Sequence, residues 1–313
     1  MTICRPARDR LQSPGENVAV YPDYPFTSRF LQISGHRLHY VDEGEGPVVV
    51  LVHGNPTWSY YYRKVISLLA PDHRVIALDH IGCGLSDKPQ DYSYTLAQHI
   101  ANLQQLLDHL RINRYSLVGH DWGGAIAMGC AGRHPERIER LVMMNTAAFR
   151  STRIPLRIRV CRWPIVGRLL VRGLNGFAGA APTMAVATRL PDDVARAYLA
   201  PYNSWRNRVA VHEFVRDIPL GPGDRSYSTL VEVENGLAVL RRLQVPLLLL
   251  WGGRDFCFDG VFYQEWCERF PEAQKYFFTD GGHYVLEDKF TAIAPLLRQF
   301  FAGEATAGAE GRR

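Results

Sequence analysis

Apolar runs recur along the chain at Val48 to Val52, Arg74 to Leu78, 115–119, Ile138 to Met144 and Val245 to Trp251. Their nearly continuous apolar character predicts strands covered on both faces. Between them the period changes. Residues 58–70 suit a helix, 96–110 place Leu103, Leu106, Leu107 and Leu110 on one side of a second, and 122–134 give a third. Upstream, Phe30 to Ile33 and His36 to Val41 predict a hairpin turning at Ser34-Gly35. Downstream, a helix at 261–270, a strand at 275–278 and a last helix at 288–301 continue the series. Such alternation predicts an α/β fold whose mainly parallel sheet is covered by helices on both faces.

From Thr146 to about Tyr227 the alternation stops. Helical patches at 164–174, 192–200 and 204–217 take its place. The chain therefore divides into a core of 27–145 and 228–302 and a helical cap of 146–227 inserted into it. Residues 1–26, with four prolines, and 303–313, rich in Gly, Ala and Glu, are expected to be irregular.

At 313 residues and 47% hydrophobic content the chain can bury a large core. Met1 to Val18 has no apolar stretch suited to a signal peptide, and no run approaches the roughly 20 residues of a membrane span. A cytoplasmic location is the expectation. Six cysteines, at 4, 83, 130, 161, 257 and 267, form no Cys-x-x-Cys pair, so free thiols and no structural metal are expected. The net charge of +5 is concentrated: 145–190 holds arginines 150, 153, 157, 159, 162, 168, 172 and 189 and no acid, leaving the remainder net acidic. These arginines interleave with Leu, Ile, Val and Trp instead of forming a polar arm, which argues against nucleic-acid binding.

Chemistry centres on Ser116 to Gly124, Ser-Leu-Val-Gly-His-Asp-Trp-Gly-Gly. A strand runs into a helix through a turn flanked by Gly119 and Gly123, as a nucleophile elbow requires. The exposed position is Asp121. A carboxylate is a nucleophile without a base to activate it and can attack saturated carbon. The bland alternative is an Asp that only caps the following helix. Chain order after an elbow calls for an acid and then a histidine at later strand ends. Asp255 follows Leu247 to Trp251, and His283 follows 275–278. Alone, Asp255 could cap a helix and His283 could be one of eleven ordinary histidines; Asp259 is the rival to Asp255. The backbone N–H groups of Trp122 and Asn55 are placed for an oxyanion hole, and their side-chain N–H groups suit a departing anion. Taken singly, Trp122 could be packing bulk and Asn55 a turn residue before Pro56.

Three motifs, His-Gly-Asn-Pro-Thr at 53–57, Asp-His-Ile-Gly-Cys-Gly-Leu-Ser-Asp-Lys-Pro at 79–89 and Gly-His-Asp-Trp-Gly-Gly at 119–124, make the chain resemble the haloalkane dehalogenase group of the α/β-hydrolase superfamily. The resemblance covers roughly 28–301. It implies an α/β-hydrolase fold, with a mostly parallel eight-stranded sheet flanked by helices and an inserted helical cap. One dehalogenase subgroup carries its acid after the sixth strand, where this chain has Met144-Asn145-Thr146, so the acid role passes to Asp255.

Further blocks resemble the β-lactone decarboxylases of bacterial long-chain olefin biosynthesis: 145–149, Tyr198 to Tyr202 leading to 205–208, 217–220, 255–259 and 283–289. That likeness implies a long-chain cis-β-lactone substrate, a cis-alkene and CO₂ as products, and neither metal nor organic cofactor. It also suggests association with other olefin-pathway enzymes through the basic cap, whose mixed character equally suits peripheral membrane contact. Attack by Asp121 on the ring carbon and attack on the carbonyl are both open. Haloalkane hydrolysis is the main alternative activity. Epoxide hydrolysis using Tyr198 or Tyr202, and a catalytically silent binding module, are weaker ones.

Overall fold

The computed structural model describes residues 21–303. The expected irregular ends therefore lie largely outside the described residues. Eight strands form one sheet: β1 (Arg29–Ile33), β2 (His36–Glu43), β3 (Val48–Val52), β4 (Arg74–Leu78), β5 (Tyr115–His120), β6 (Ile138–Met144), β7 (Leu247–Gly252) and β8 (Gln274–Phe278). Their order is β1-β2-β4-β3-β5-β6-β7-β8. The β1–β2 and β2–β4 pairs are antiparallel and every other pair is parallel. The β1–β2 hairpin turns at Ser34 and Gly35, both at positive φ (50° and 83°), as a two-residue turn demands.

Alternate residues of the central strands feed two cores. Val50, Val52, Leu117, Leu141, Met143 and Leu249 face one. Val49, Leu51, Val118, Val142, Met144 and Leu250 face the other. This two-sided burial is why the strands read as unbroken apolar runs. The first core is covered by α2 (Leu96–His109), α3 (Trp122–Arg133) and α9 (Tyr227–Arg242), the second by α1 (Arg63–Leu69) and α11 (Val285–Ala302). The remaining core helix is α10 (Gly260–Arg269).

Between β6 and α9 the chain forms α4 (Leu156–Cys161), α5 (Pro164–Arg168) running into a π-helical turn at Leu169–Gly173, α6 (Ala181–Met184), α7 (Asp192–Leu199) and α8 (Val209–Arg216). Helices α4 and α6 were not singled out by the sequence pattern, and the patch from 204 becomes α8 only at Val209. The stretch at 58–70 begins as a 3₁₀ turn, Ser59–Tyr62, before α1. Helix α9 is an addition. Its Gly236 meets Gly132 of α3 so closely that a Cβ at 236 would stand 2.9 Å from the Gly132 Cα. The five described cysteines are free, and no described helix is long and apolar enough to cross a membrane.

Candidate active site

Strand β5 ends at His120 and α3 begins at Trp122, leaving Asp121 alone to turn the chain at φ 54°, ψ −130°. Non-glycine residues rarely adopt such positive φ, and here it directs the side chain out of the sheet. The turn tolerates no bulk around it. A Cβ at Gly123 would lie 1.9 Å from the Val52 carbonyl oxygen, and one at Gly119 would lie 2.7 Å from the Gly124 Cα. Asp121 does not cap α3 with its side chain. Its Oδ1 instead accepts the Asn55 backbone N–H at 2.6 Å, from the loop after β3. The Thr146 hydroxyl donates to its backbone carbonyl at 2.5 Å.

His283, beyond β8, faces Asp121 with Nε2 3.7 Å from Oδ2. Its Nδ1 bonds Asp255 Oδ2 at 2.7 Å. Asp255 is buried and takes further hydrogen bonds from the Cys257 N–H (2.7 Å) and the Asn145 amide (2.9 Å). Asp121, Asp255 and His283 thus meet in one chain of contacts. Asp259 stands elsewhere: it caps α10 through the Val261 N–H and pairs with Arg153 at 2.7 Å.

Burial raises the pKa of Asp121 above the ordinary carboxylate value, opposed by the nearby His283 and by the N–H groups of Trp122 and Asn55. For His283 burial favours the neutral ring, but the charge and hydrogen bond of Asp255, with Asp121 behind them, outweigh it. The His283 pKa is raised as a result. The neighbouring His120 is the opposite case. It has no carboxylate partner among the described residues and bonds the His283 carbonyl through Nε2 at 2.8 Å, and burial, with the charge of His283 behind it, holds its pKa well below 6.5.

A cavity of about 390 Å³ opens over Asp121. Asn55, Trp122, His283 and Tyr284 line it with Asp121, and Phe149, Ile158, Phe177, Leu220, Phe256 and Phe258 typify the rest. The apolar walls come largely from the cap. Trp122 packs on Phe214 of α8 with ring centroids 5.4 Å apart. The Asn55 side chain departs from expectation. Its Nδ2 donates to the Val211 carbonyl at 3.1 Å, which leaves one amide hydrogen for a ligand, and its Oδ1 is buried without a partner among the described residues.

Tyr198 and Tyr202 lie outside the cavity lining. The Tyr198 hydroxyl donates to Glu287 at 2.5 Å and that of Tyr202 to the Thr57 carbonyl at 3.0 Å. Neither is placed to open an epoxide over Asp121. Asn145 is the positioning residue that sequence reasoning did not find. It sits at φ 36° after β6 and brackets Gly252 with two hydrogen bonds while its amide holds Asp255. The available signal was the polar Asn145-Thr146 pair ending an apolar strand beside β7.

Residues 47–290 match the family model for the α/β-hydrolase fold. The chain belongs to that family. Within it, the chain is 45% identical over 289 residues to a cis-3-alkyl-4-alkyloxetan-2-one decarboxylase of Shewanella oneidensis, covering 90% of each protein. It is 40% identical over 294 residues to a decarboxylase of the same name from Xanthomonas campestris, covering 90% of this chain and 97% of that one. An oxetan-2-one is a β-lactone, and at these identities and coverages the chain belongs to the same α/β-hydrolase branch as those β-lactone decarboxylases. Among solved structures, the haloalkane dehalogenase DbeA from Bradyrhizobium elkani superimposes with a TM-score of 0.81 at 28% identity, over 89% of this chain and 98% of that one.

Proposed function

We propose that this enzyme converts cis-3,4-dialkyl β-lactones to cis-alkenes and CO₂ with Asp121 as nucleophile. The observation that carries the reading is a buried carboxylate, fixed by the Asn55 N–H at 2.6 Å, at the end of a cavity whose other walls are mostly apolar, with Ser151, Arg153 and Arg157 as polar side chains on the cap side. Such a cavity suits alkyl chains, and Asn55, Trp122 and His283 stand with Asp121 where a small reacting ring would sit.

In the proposed cycle an Asp121 oxygen attacks the ring carbon that bears the lactone oxygen. A C–O bond to Asp121 forms as the ring C–O bond breaks, and the freed carboxylate remains on the neighbouring carbon. Displacement from the back face sets the Asp121 oxygen anti to that carboxylate. CO₂ then leaves, its bonding pair becomes the new C=C bond, and Asp121 departs with its own oxygens. The two alkyl groups stay on one side throughout, so a cis-lactone yields a cis-alkene. No water is consumed and no base is required. His283, with its raised pKa, serves as an imidazolium that stabilises the released carboxylate and then Asp121. The remaining Asn55 amide hydrogen and the Trp122 indole N–H assist at the same end.

The test is gas chromatography of products from a synthetic cis-β-lactone. Wild type should give cis-alkene, and Asp121→Ala should lose at least about a hundredfold in rate while keeping its fold. Alcohol and halide from haloalkanes, with no alkene from the lactone, would overturn the reading in favour of hydrolysis.

A further inference from the structure

The segment that roofs the cavity has an outer face. Of the large apolar side chains exposed in the described structure, Leu156, Trp163, Ile165, Val166, Leu169 and Leu174 fall between residues 156 and 174, whereas Met184, Leu243, Val261 and Phe277 are scattered singly. Leu156, Ile165 and Leu174 are 75%, 75% and 77% exposed. Single exposed apolar residues need no explanation, but a concentration on one short stretch marks an interaction surface.

The charge on this face is unbalanced too. Several cap arginines are satisfied internally: Arg150 by Glu234, Arg153 by Asp259, Arg162 by Asp224 and Arg189 by Asp192. Arg172 is buried and donates to the Trp205 carbonyl and Gln90. Arg157 lies over the Phe256 ring at 3.6 Å and lines the cavity, which leaves Arg159 on α4 and Arg168 on α5, both exposed and without an acidic partner among the described residues, Arg168 with its guanidinium 5.3 Å from the Trp205 ring centroid. They share their helices with the exposed apolar side chains, and 145–190 contains no acid at all.

We propose that α4, α5 and the π-helical turn form a docking face for an anionic lipid bilayer. Trp163, Ile165 and Leu169 would enter the interfacial layer while Arg159 and Arg168 meet lipid phosphates. Exposed aliphatic and indole side chains interspersed with arginines that lack an acidic partner are what an interfacial helix presents. A protein partner would need acids of its own placed against each arginine, whereas an anionic bilayer supplies negative charge everywhere along the face. The inner side of the same segment supports this placement. Pro155, Arg157 and Cys161 line the cavity and also a shallow groove with Leu156, Val160 and Leu170. Docking would therefore hold this wall of the cavity against the lipid phase. Only the use of that placement to deliver a lipid-like substrate rests on the β-lactone reading.

The test is co-sedimentation of the full chain with sucrose-loaded vesicles of phosphatidylcholine, with or without a third of phosphatidylglycerol. Wild type should pellet with the anionic vesicles, weakly with the neutral ones, and less at high salt. Ile165→Ser/Leu169→Ser should weaken binding by about tenfold or more, as should Arg159→Glu/Arg168→Glu. Quenching by brominated acyl chains should be reduced in Trp163→Phe. None of these residues lines the cavity, so alkene formation from detergent-dispersed lactone should persist in every variant. Failure to pellet with anionic vesicles, or pelleting that both double variants leave unchanged, overturns the docking face. So does a dimer that these variants dissociate in the absence of vesicle binding, since a second copy would then cover the surface. Vesicle binding without alkene production would sustain the docking face and sink the reaction instead.

Discussion

Replacing Asp255 by Asn tests whether His283 works as an acid or as a base. Every partner of the Asp255 carboxylate is a donor: His283 Nδ1 at 2.7 Å, the Asn145 amide at 2.9 Å and the Cys257 N–H at 2.7 Å. An amide NH₂ at the first oxygen would confront Asn145 and force the imidazole to change tautomer, and at the second it would confront the Cys257 N–H. At least one hydrogen bond is lost whichever way the amide turns. A hydrogen bond to a charged group contributes about 1.5–3 kcal/mol, so the rate should fall by about ten- to a hundredfold. The pH profile sharpens the test. In wild type the raised His283 pKa keeps the imidazolium above the ordinary histidine range, and decarboxylation should decline as pH rises through that pKa. The acid limb belongs to Asp121, whose raised pKa sets the loss of nucleophile in above the usual carboxylate range. Asp255→Asn removes the main cause of the His283 shift, so the alkaline decline should begin at lower pH. Alkene release measured by headspace chromatography across pH reads both effects. A wild-type rate that climbs through the histidine range would refute this reasoning, because His283 would then be acting as a neutral base, as ester hydrolysis requires.

Turnover in ¹⁸O-water should leave Asp121 unlabelled by peptide mass spectrometry, since the proposed cycle breaks the alkyl C–O bond; label in Asp121 would mean its carbonyl is attacked by water. Gly123→Ala should cost about 3 kcal/mol in urea unfolding or prevent folding, because its Cβ would collide with the Val52 and His53 carbonyl oxygens; near-native stability would disprove the tight elbow. Arg63→Met should destabilise by about 3–5 kcal/mol, because Glu287 would keep only Lys64 and Tyr198 as partners. Burial opposes ionisation of Glu287, but Arg63 outweighs it and the pKa is lowered. The wild-type stabilisation should therefore be complete above the ordinary glutamate pKa and fade as pH falls through the lowered one, while Arg63→Met should show little of that dependence.

What could be read from the sequence was what physical chemistry writes locally. Burial on both faces turns β3 to β7 into apolar runs, and the tight elbow demands small residues at fixed offsets from Asp121. Helix α9 also leaves a local trace, since Leu230, Val233, Leu237 and Leu240 lie on its buried side at helical spacing. Gly236 disguises it, because a mid-helix glycine argues against a helix until Gly132 is known to press against it. Contacts that join distant segments leave no such trace. The Asn55 amide goes to Val211, 156 residues away, and Tyr198 goes to Glu287 across 89 residues, so neither hydrogen bond could be inferred from neighbouring residues.

The placement of the acid shows how a site can depend on register and yet tolerate a change of address. Strands β6 and β7 are parallel neighbours with Met144 opposite Leu250, so the chain leaves both strands at nearly the same level. Asn145 follows one strand and the Gly252 to Asp255 turn follows the other, and they are tied together by the Asn145 hydrogen bonds to Gly252 and Asp255. The end of β6 therefore lies within hydrogen-bond reach of the carboxylate that holds His283 Nδ1. In this chain the carboxylate comes from the β7 side, and the β6 side supplies an amide that can only support it. Asn145→Asp would set two carboxylates against each other and lose the amide donor that holds Asp255. An amide at 145 is therefore better matched to a carboxylate at 255 than a second acid would be.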